Sequence, residues 1–369
     1  MAPGPPGRLS TRLASPRHRR RTFPGAATIV LLAAAVLAAG CQSRAAGGGA
    51  GRGPVGSSST ESSTTPTEPP ATTTTLPPTY PLTGRPVTDL ATAARPAVAV
   101  KIDNIVDARP QAGITAADVV YEEYTEGITR FIVVFHSGNA PVVGPVRSVR
   151  PADPTIITPL GGVLAFSGGS PAAVALAAAS PLRLVTENDT AVMYRRPGRV
   201  APHNLYTSTD GLFSRVPDSA GSPPKFANFL RDGQAFTGPG AQPVAHLSVV
   251  PAPFVTADYD WDAASGTWLR TTDGRPHLLE DGRIAPTNVI VQFTPYTVFV
   301  ADEKVMYPLV LGSGDAWVFA AGRLVQGTWS KPTADAVTTF TDSSGAPIAL
   351  PPGQTWVHLV APGSSVTTG

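Results

Sequence analysis

The sequence predicts an α+β or α/β domain followed by a β-rich domain. Strand-like and helix-like runs alternate in its first part, which is typical of a mixed domain. A Pro- and Gly-rich stretch at 217–244 interrupts this pattern, and short β-branched or aromatic runs follow it. The roughly 290 residues from Tyr80 to Gly369 are enough for two domains. We expect a first domain at 80–220 (the N-terminal part), a linker at 221–244 and a second domain at 245–369 (the C-terminal part).

The N-terminal part contains four strand-like runs and one clear helix. The helix is predicted at 171–179, because Ser170 can cap it and Pro171 suits its first position. The strands are predicted at 97–102, 119–124, 130–135 and 162–166.

The C-terminal part shows only strand signals. Turn pairs such as Ser265-Gly266 and Asp273-Gly274 separate its apolar runs, and this spacing predicts a meander of hairpins that closes a small sandwich or barrel. The strands are predicted at 246–250, 267–270, 288–293, 316–319, 337–340 and 355–360.

Residues 1–40 read as a bacterial export signal. A leader rich in arginine precedes an apolar run at 26–39, which is too short to span a bilayer comfortably, and small residues lead into Cys41, the single cysteine. The segment resembles a lipoprotein signal, which implies lipidation of Cys41 and a place on the outer face of the cytoplasmic membrane. An uncleaved anchor and ordinary cleavage leaving a free thiol are the alternatives. The leader does not decide between general secretory and twin-arginine export.

Residues 41–79 form a predicted disordered tether. Ser, Thr and Pro make up 19 of the 23 residues from Ser57 to Thr79, and Leu76 is the single large apolar side chain among them. Such a composition buries too little apolar surface to offset the entropy of ordering the chain. We expect an extended spacer, on which O-glycosylation of the threonines is an open question.

Charge and cysteine content exclude several functions. The leader holds six of the 28 basic residues and none of the 26 acidic ones, so cleavage before Cys41 leaves 22 basic residues and a formal net charge of −4. A nucleic-acid partner is therefore not expected, because such proteins need a basic face. The histidines are dispersed and no cofactor motif is present, so we expect neither a metal nor a cofactor.

The candidate functional residues follow the predicted strands of the N-terminal part. If those strands are parallel, their carboxyl ends bring these residues to one crevice. The candidates are Asp103, Asn104, Arg109, Glu126, Arg130, Arg147, Ser148, Arg150, Gly168, Gly169, Ser170, His203 and Asn204.

Each candidate has a functional and a structural interpretation. Arginine forks such as Arg147 and Arg150 suit an anionic ligand, but they can equally pair with Glu122 or Glu126. The segment from Gly168 to Ser170 can present backbone N–H groups to an anion or form only a tight turn.

The same holds for the acid–base candidates. His203 suits acid–base catalysis because of its ordinary pKa, or it holds a loop together. Asp103 with Glu122 or Glu126 would make a glycosidase-like carboxylate pair, whereas charged residues also occur on edge strands for solubility.

Short motifs in a fixed order link the chain to a known family. They include KIDN, ARPQAG, GPVRSVRP, FSGGSP and APHNLYTS in the N-terminal part, and NVIVQF, GSGDAWVF and LPPGQTWVHLV in the C-terminal part. They resemble the YerB-like bacterial lipoproteins, which have two adjoining domains of unknown function. The resemblance covers most of residues 82–361 and implies a mixed domain followed by a β-rich one, with no catalytic residues to transfer. Lys101 departs from the family pattern, in which that position is often apolar.

Two function classes follow from these observations. The first is a membrane-anchored lipoprotein that binds a cell-wall glycan, a peptide or another anionic envelope ligand through its arginine-rich crevice. The second is a cell-wall glycan hydrolase or lyase that uses Asp103, Glu126 or His203. Catalysis requires a titratable group and a charge-stabilising donor facing one cavity, whereas binding requires only complementarity. The sequence indicates neither the ligand nor the oligomeric state.

Overall fold

A computed structural model describes residues 77–302 and 305–369. The predicted signal at 1–40, Cys41 and the tether up to residue 76 lie outside these residues. Within the described ranges, no helix has the length and apolar character needed to span a membrane.

The N-terminal part is a mixture of short helices and strands. Its helices are α1 (Leu90–Ala94), α2 (Asp153–Ile157), α3 (Pro171–Ala178) and α4 (Thr209–Phe213). Its strands are β1 (Val98–Asp103), β2 (Val119–Thr125), β3 (Ile128–Phe135), β4 (Val163–Ala165), β5 (Arg183–Val185), β6 (Tyr194–Arg195) and β7 (Leu205–Tyr206).

The segment that follows is built from strands alone. These are β8 (Gln242–Pro243), β9 (His246–Ala252), β10 (Val255–Asp262), β11 (Thr267–Thr272), β12 (Arg275–Pro276), β13 (Leu278–Leu279), β14 (Gly282–Arg283), β15 (Asn288–Phe293), β16 (Tyr296–Val298), β17 (Met306–Pro308), β18 (Gly312–Ala320), β19 (Arg323–Lys331), β20 (Thr339–Asp342), β21 (Thr355–Val360) and β22 (Val366–Thr368). The predicted fold class, a mixed part followed by a β-rich part, is confirmed.

One 11-stranded sheet joins the two parts. Its order is β20-β19-β18-β15-β21-β2-β3-β1-β4-β5, with β8 beside β19. The junction is the parallel pairing of β21 with β2, in which Thr355 lies opposite Val119. Between the two parts, Phe226 and Phe236 are buried in the core, so part of the predicted linker is packed against the sheet. The domain boundaries at 220 and 245 stay a prediction.

A five-stranded sheet of β12-β11-β10-β9-β22 covers one face of the C-terminal strands. Leu247 and Trp268 from this sheet share a core with Val289 and Phe319 from the large sheet. Two sheets facing each other across an apolar layer form a sandwich.

The strand directions decide where the candidate residues lie. β1, β4 and β5 are parallel, β3 is antiparallel to both β1 and β2, and β15 and β21 run parallel to β2. The carboxyl ends of all these strands except β3 therefore lie at one edge of the sheet, which includes Asp103 and Thr125. The described chain enters at the opposite edge, where the Tyr80 ring contacts His136 just after β3.

Candidate functional site

A cluster of charged residues lies at this carboxyl edge, and we call it the arginine cluster. Its members are Asp103, Glu126, Arg130, Arg147, Arg150 and His203. Asp103 ends β1 and is paired in register with Arg130 of β3. The loop with Arg147 and Arg150 is fixed by backbone bonds from Arg147 N–H to the Lys101 carbonyl and from Val149 N–H to the Gly168 carbonyl, both 2.8 Å.

Asp103 holds His203 and Arg147 together. Its carboxylate is fully buried, and Oδ2 lies 2.8 Å from Nδ1 of His203. Arg147 Nε lies 2.8 Å from the same oxygen, within ion-pair distance but without the direction of a hydrogen bond. Because a carboxylate accepts, His203 donates from Nδ1, and neutral His203 therefore keeps Nε2 as a free base.

Glu126 reaches the cluster from the tight turn between β2 and β3. Thr125 and Ile128 close this turn, and both Glu126 (φ +52°) and Gly127 (φ +84°) are left-handed. This conformation is uncommon for glutamate, but a two-residue hairpin turn of this type requires positive φ at both of its central residues. Its Oε2 accepts hydrogen bonds from Arg130 Nη2 at 2.8 Å and from Arg150 Nη2. Although burial opposes it, these guanidinium groups hold the pKa of Glu126 below its usual value.

Arg130 is the least satisfied member of the arginine cluster. It is 3% exposed, and its Nε and Nη1 have no hydrogen-bond partner within the described part of the chain. Burial and the neighbouring Arg150 lower the pKa of Arg130 to about 10, so it is charged at neutral pH. The cluster contains three guanidinium groups against two carboxylates, which gives a net charge of +1 when His203 is neutral.

The glycine-rich segment lies beside the cluster and shapes its loop. Ser167 N–H donates to the Arg147 carbonyl at 2.9 Å, and a side chain on Gly169 would press against Val149. Ser170 caps α3 by accepting from Ala173 N–H at 3.3 Å. Ser148 is half-buried in the same loop. These contacts fit the tight-turn interpretation of the segment.

Asn204 takes part in different contacts from its neighbour His203. Its Oδ1 accepts from Arg195 Nη1 at 2.8 Å, and its Nδ2 donates to the Arg199 carbonyl at 3.4 Å. It therefore supports the loop that carries His203.

Asn104 lies on the other face of the sheet, in a closed ring of buried hydrogen bonds. The ring joins four residues of the N-terminal part to three of the C-terminal part, in the order Asn104, Thr129, Glu122, Arg270, Thr272, His277 and Gln111. We call it the buried ring.

Within the buried ring, Arg270 donates to both of its neighbours and Glu122 accepts from both of its neighbours, so the other bonds run from Arg270 through Thr272 toward Glu122. Asn104 donates to Thr129 at 2.8 Å, and Thr129 donates to Glu122 at 2.7 Å. Burial and the nearby guanidinium of Arg270 lower the pKa of His277 well below its usual value, so its ring is neutral. Since the Gln111 carbonyl can only accept, His277 donates from Nε2 and accepts from Thr272 at Nδ1.

Glu122 and Glu123 are adjacent but face opposite sides of β2. Glu122 belongs to the buried ring, where Arg270 and His358 outweigh burial and lower its pKa to about 2. Glu123 pairs with Lys101, whose Nζ also lies 2.8 Å from Asp153 Oδ1, and all three side chains are buried. Lys101, the residue that departs from the family pattern, thus neutralises buried acid beneath the Arg150 loop.

The structure divides the predicted crevice. Asp103, Glu126, Arg130, Arg147, Arg150 and His203 meet in the arginine cluster, with Ser148, Gly168, Gly169 and Ser170 beside it. Asn104 belongs to the buried ring. Arg109 donates to the Asn104 side chain at 3.3 Å and lines a separate cavity. Glu122, the alternative partner for Asp103, lies across the sheet in the buried ring.

Sequence reasoning missed the C-terminal members of the buried ring. A signal for one of them was available, because in TWLRTT the side chains of Trp268, Arg270 and Thr272 share one face of β11 and all are buried. A charged residue at an inward position requires a buried partner.

Among the described residues, no three His, Cys, Asp or Glu side chains are grouped to hold a metal ion.

Comparison with known proteins identifies the class. Residues 82–222 match the N-terminal domain, and residues 250–357 the C-terminal domain, of the family described as protein of unknown function DUF3048. The chain is 28% identical over 291 residues to "Putative lipoprotein YerB" of Bacillus subtilis (strain 168), covering 76% of this chain and 85% of that protein. The chain belongs to this YerB-like family.

A solved structure supports the fold. The crystal structure of the YerB protein from Bacillus subtilis matches with a TM-score of 0.67 at 22% identity, covering 78% of this chain and 99% of that one. This likeness extends across both parts of the chain.

Proposed function

We propose that this protein is an exported lipoprotein anchored by Cys41 to the outer face of the cytoplasmic membrane, and that its arginine cluster binds an anionic group of a cell-envelope molecule. The export signal that ends at the single cysteine supports the anchor, as does the similarity to a relative named as a lipoprotein. The tether would let the folded body reach into the cell wall.

The observation that carries the binding proposal is the unsatisfied guanidinium of Arg130. Buried donors in proteins almost always have a partner, so the two nitrogens of Arg130 that have none among the described residues, Nε and Nη1, favour an acceptor supplied by a bound molecule. Arg147 and Arg150 beside it give the cluster an excess of positive charge, which suits a carboxylate or phosphate. The side chains of Arg147 and Glu126 are 22% and 40% exposed, so a ligand can approach from that side.

A second candidate, a glycan hydrolase or lyase, has one observation in its favour. The contact between His203 and Asp103 fixes the orientation of the imidazole, as in sites that use histidine for proton transfer. Glu126 suits a general acid poorly, because its lowered pKa keeps it ionised at neutral pH. The carboxylate pair of a typical glycosidase is therefore incomplete, and binding is the better supported function.

Sedimentation with purified cell-wall sacculi tests both candidates. The protein should sediment with sacculi, and Arg150→Ala should weaken this capture by ~1–3 kcal/mol, the scale of a charged hydrogen bond. Arg215→Ala is the matched control, since that arginine pairs with Asp189 outside the cluster. Capture should occur without release of soluble fragments, whereas release that depends on His203 would favour the hydrolase.

Thermal melts of the same variants distinguish a ligand-binding role of Arg150 from a structural role. Arg150 is buried and donates to Thr125 at 3.1 Å and to the Val149 carbonyl at 3.0 Å, but its charged partner Glu126 is partly exposed, so its loss should cost only about 1–2 kcal/mol of stability. A loss of ~3–5 kcal/mol of stability in Arg150→Ala would mean a structural ion pair and would overturn the binding role.

The anchor is tested in cells with the full-length chain. Cys41→Ala should release the protein into the medium or block its processing. Normal cleavage with unchanged membrane retention would remove the proposed anchor.

A further inference from the structure

A cavity of about 500 Å³ lies between the loop that follows β1 and the β11–β12 hairpin. It is separate from the arginine cluster, and residues of both the N-terminal and the C-terminal part line it. Arg109 and Pro110 form one side, and Arg275 and Pro276 belong to the other. A volume of this size suits a small organic ligand, and such sites are common where two structural units meet.

Apolar side chains line part of this cavity without being covered. Val106 is 67% exposed and Leu278 is 59% exposed, although both are large hydrophobic residues. Pro110 and Pro276 add further apolar surface. Grouped apolar exposure inside a concavity indicates a ligand with an apolar portion, whereas isolated exposed residues need no explanation.

Two arginines make the same cavity positive. Asn104 holds Arg109 in place, with Arg109 Nη2 donating to its carbonyl at 3.0 Å. Arg275 is exposed and forms no ion pair with any residue that the structure describes. Asp273 is the single carboxylate of the lining, and it lies 3.4 Å from Arg109 Nη1. Because the His277 ring is neutral, the lining has an excess positive charge.

We propose that this cavity binds a single-chain amphiphile with an anionic head group. The head group lies between Arg109 and Arg275, and the chain packs on Val106, Pro110, Pro276 and Leu278. This site is independent of the arginine cluster and goes beyond the function proposed for it. The ligand chemistry is that of a free fatty acid or of an anionic lipid, and the two sources are separated below.

Photo-crosslinking tests the proposal with the full chain in nanodiscs of zwitterionic lipid. The probe is decanoate with a diazirine on its chain, and mass spectrometry locates the labelled residues. Labelling should concentrate at 106–110 and 275–278, and unlabelled decanoate should compete whereas decanol should not. Labelling spread evenly over other exposed apolar residues such as Phe254, or equal competition by decanol, would overturn the proposal.

Matched variants separate charge from apolar contact. Arg275→Glu and Leu278→Asp should each lower labelling by about tenfold. The first removes a positive charge that faces the anionic head group, and the second removes an apolar contact with the chain. The controls are Arg231→Glu and Phe254→Asp, which change an exposed arginine and an exposed apolar residue outside the cavity. Unchanged labelling in both cavity variants, or an equal loss in the controls, would refute the site.

A second probe distinguishes the two sources. Nanodiscs that contain phosphatidylglycerol with a diazirine on its acyl chain present the anionic head group within a bilayer. Labelling at 106–110 and 275–278 by this lipid assigns the site to a membrane lipid, and labelling by decanoate alone assigns it to a free amphiphile. Absence of labelling at these residues by both probes would overturn the proposal.

Discussion

Arg270 and Glu122 form a fully buried bidentate ion pair across the two parts of the chain. Arg270 Nη1 donates to Glu122 Oε2 at 2.6 Å, and Nη2 donates to Oε1 at 3.0 Å. Tyr259 also accepts from Arg270, and its hydroxyl contacts His358 at 2.8 Å. Charges buried this deeply require nearly complete pairing, so the contact fixes how β11 lies against β2.

Replacing Arg270 should therefore destabilise the protein strongly. We expect Arg270→Met to cost ~3–5 kcal/mol of unfolding free energy, because Glu122 is left charged and buried. The double variant Glu122→Gln/Arg270→Met should recover part of this loss. The control is Arg195→Met, whose exposed pair with Glu187 should contribute less than ~1 kcal/mol. Urea denaturation measures all three, and equal effects of Arg270→Met and Arg195→Met would contradict the assignment.

Much of the fold could be predicted from local pattern. The strand runs at 119–124, 288–293 and 355–360 are found within about one residue, because their β-branched and apolar residues are dense and turn signals border them. The parallel pairing of β21 with β2 could not be predicted. It joins residues more than 200 positions apart, and nothing in either strand alone specifies the partner.

The site was predictable to a similar extent. Grouping the polar residues that follow strands included Asp103, Arg147 and His203, and these three lie together because the segment of Arg147 is hydrogen-bonded to β1 on one side and to Leu205 of β7, just after His203, on the other. The same approach failed for Glu122, whose partner Arg270 lies in another sheet. Alternation along a strand shows that neighbouring residues face opposite sides, but it cannot show what covers each side.

Two adjacent glycines before β4 allow the stability cost of backbone strain to be compared with that of steric overlap. Gly161 (φ +69°, ψ −163°) and Gly162 (φ +75°) both have positive φ, but only at Gly162 would an added Cβ overlap a neighbouring atom, the Ala97 carbonyl oxygen. Gly161→Ala should cost about 1–3 kcal/mol of unfolding free energy from backbone strain alone, because side chains other than glycine rarely adopt this combination of φ and ψ. Gly162→Ala should cost about 1–3 kcal/mol more. Similar costs in chemical denaturation would show that the backbone shifts freely there.

His136 should make the protein sensitive to acid. Burial and the nearby Arg95 lower the pKa of His136 to about 4, and neither ring nitrogen has a partner within the described residues. Because the folded-state pKa is lowered, its contribution to stability is complete above pH ~6.5 and is lost as the pH falls toward ~4. The unfolding free energy should fall by about 1.4 kcal/mol per pH unit in this window from His136 alone.

The variant His136→Phe isolates this contribution. Phenylalanine keeps an aromatic ring against Tyr80 and loses no hydrogen bond. At pH 7 the variant should be at least as stable as the natural protein, and its dependence on pH between 6 and 4.5 should be weaker by about the slope given above. Parallel stability curves for the two proteins would show that the pKa of His136 is the same in the folded and the unfolded chain, and would contradict the prediction.

Glu126 should limit how tightly the arginine cluster binds an anion. Its carboxylate already accepts from Arg130 and Arg150, so an anionic ligand must compete with it. Glu126→Gln removes the negative charge but keeps an amide oxygen for these donors. If the cluster is a binding site, this variant should capture sacculi more strongly by about 1 kcal/mol, roughly fivefold, whereas Arg150→Ala weakens capture.

The control for this change is Glu187→Gln, which neutralises an exposed acid paired with Arg195 outside the cluster. It should leave sedimentation with sacculi unchanged. Weaker or unchanged capture by Glu126→Gln would show that the carboxylate does not compete with the ligand. Soluble fragments released by the natural protein but not by Glu126→Gln would instead assign Glu126 a catalytic role, because the amide cannot transfer a proton as the carboxyl group does. Measuring capture and release in the same samples thus decides between the two functions at one residue.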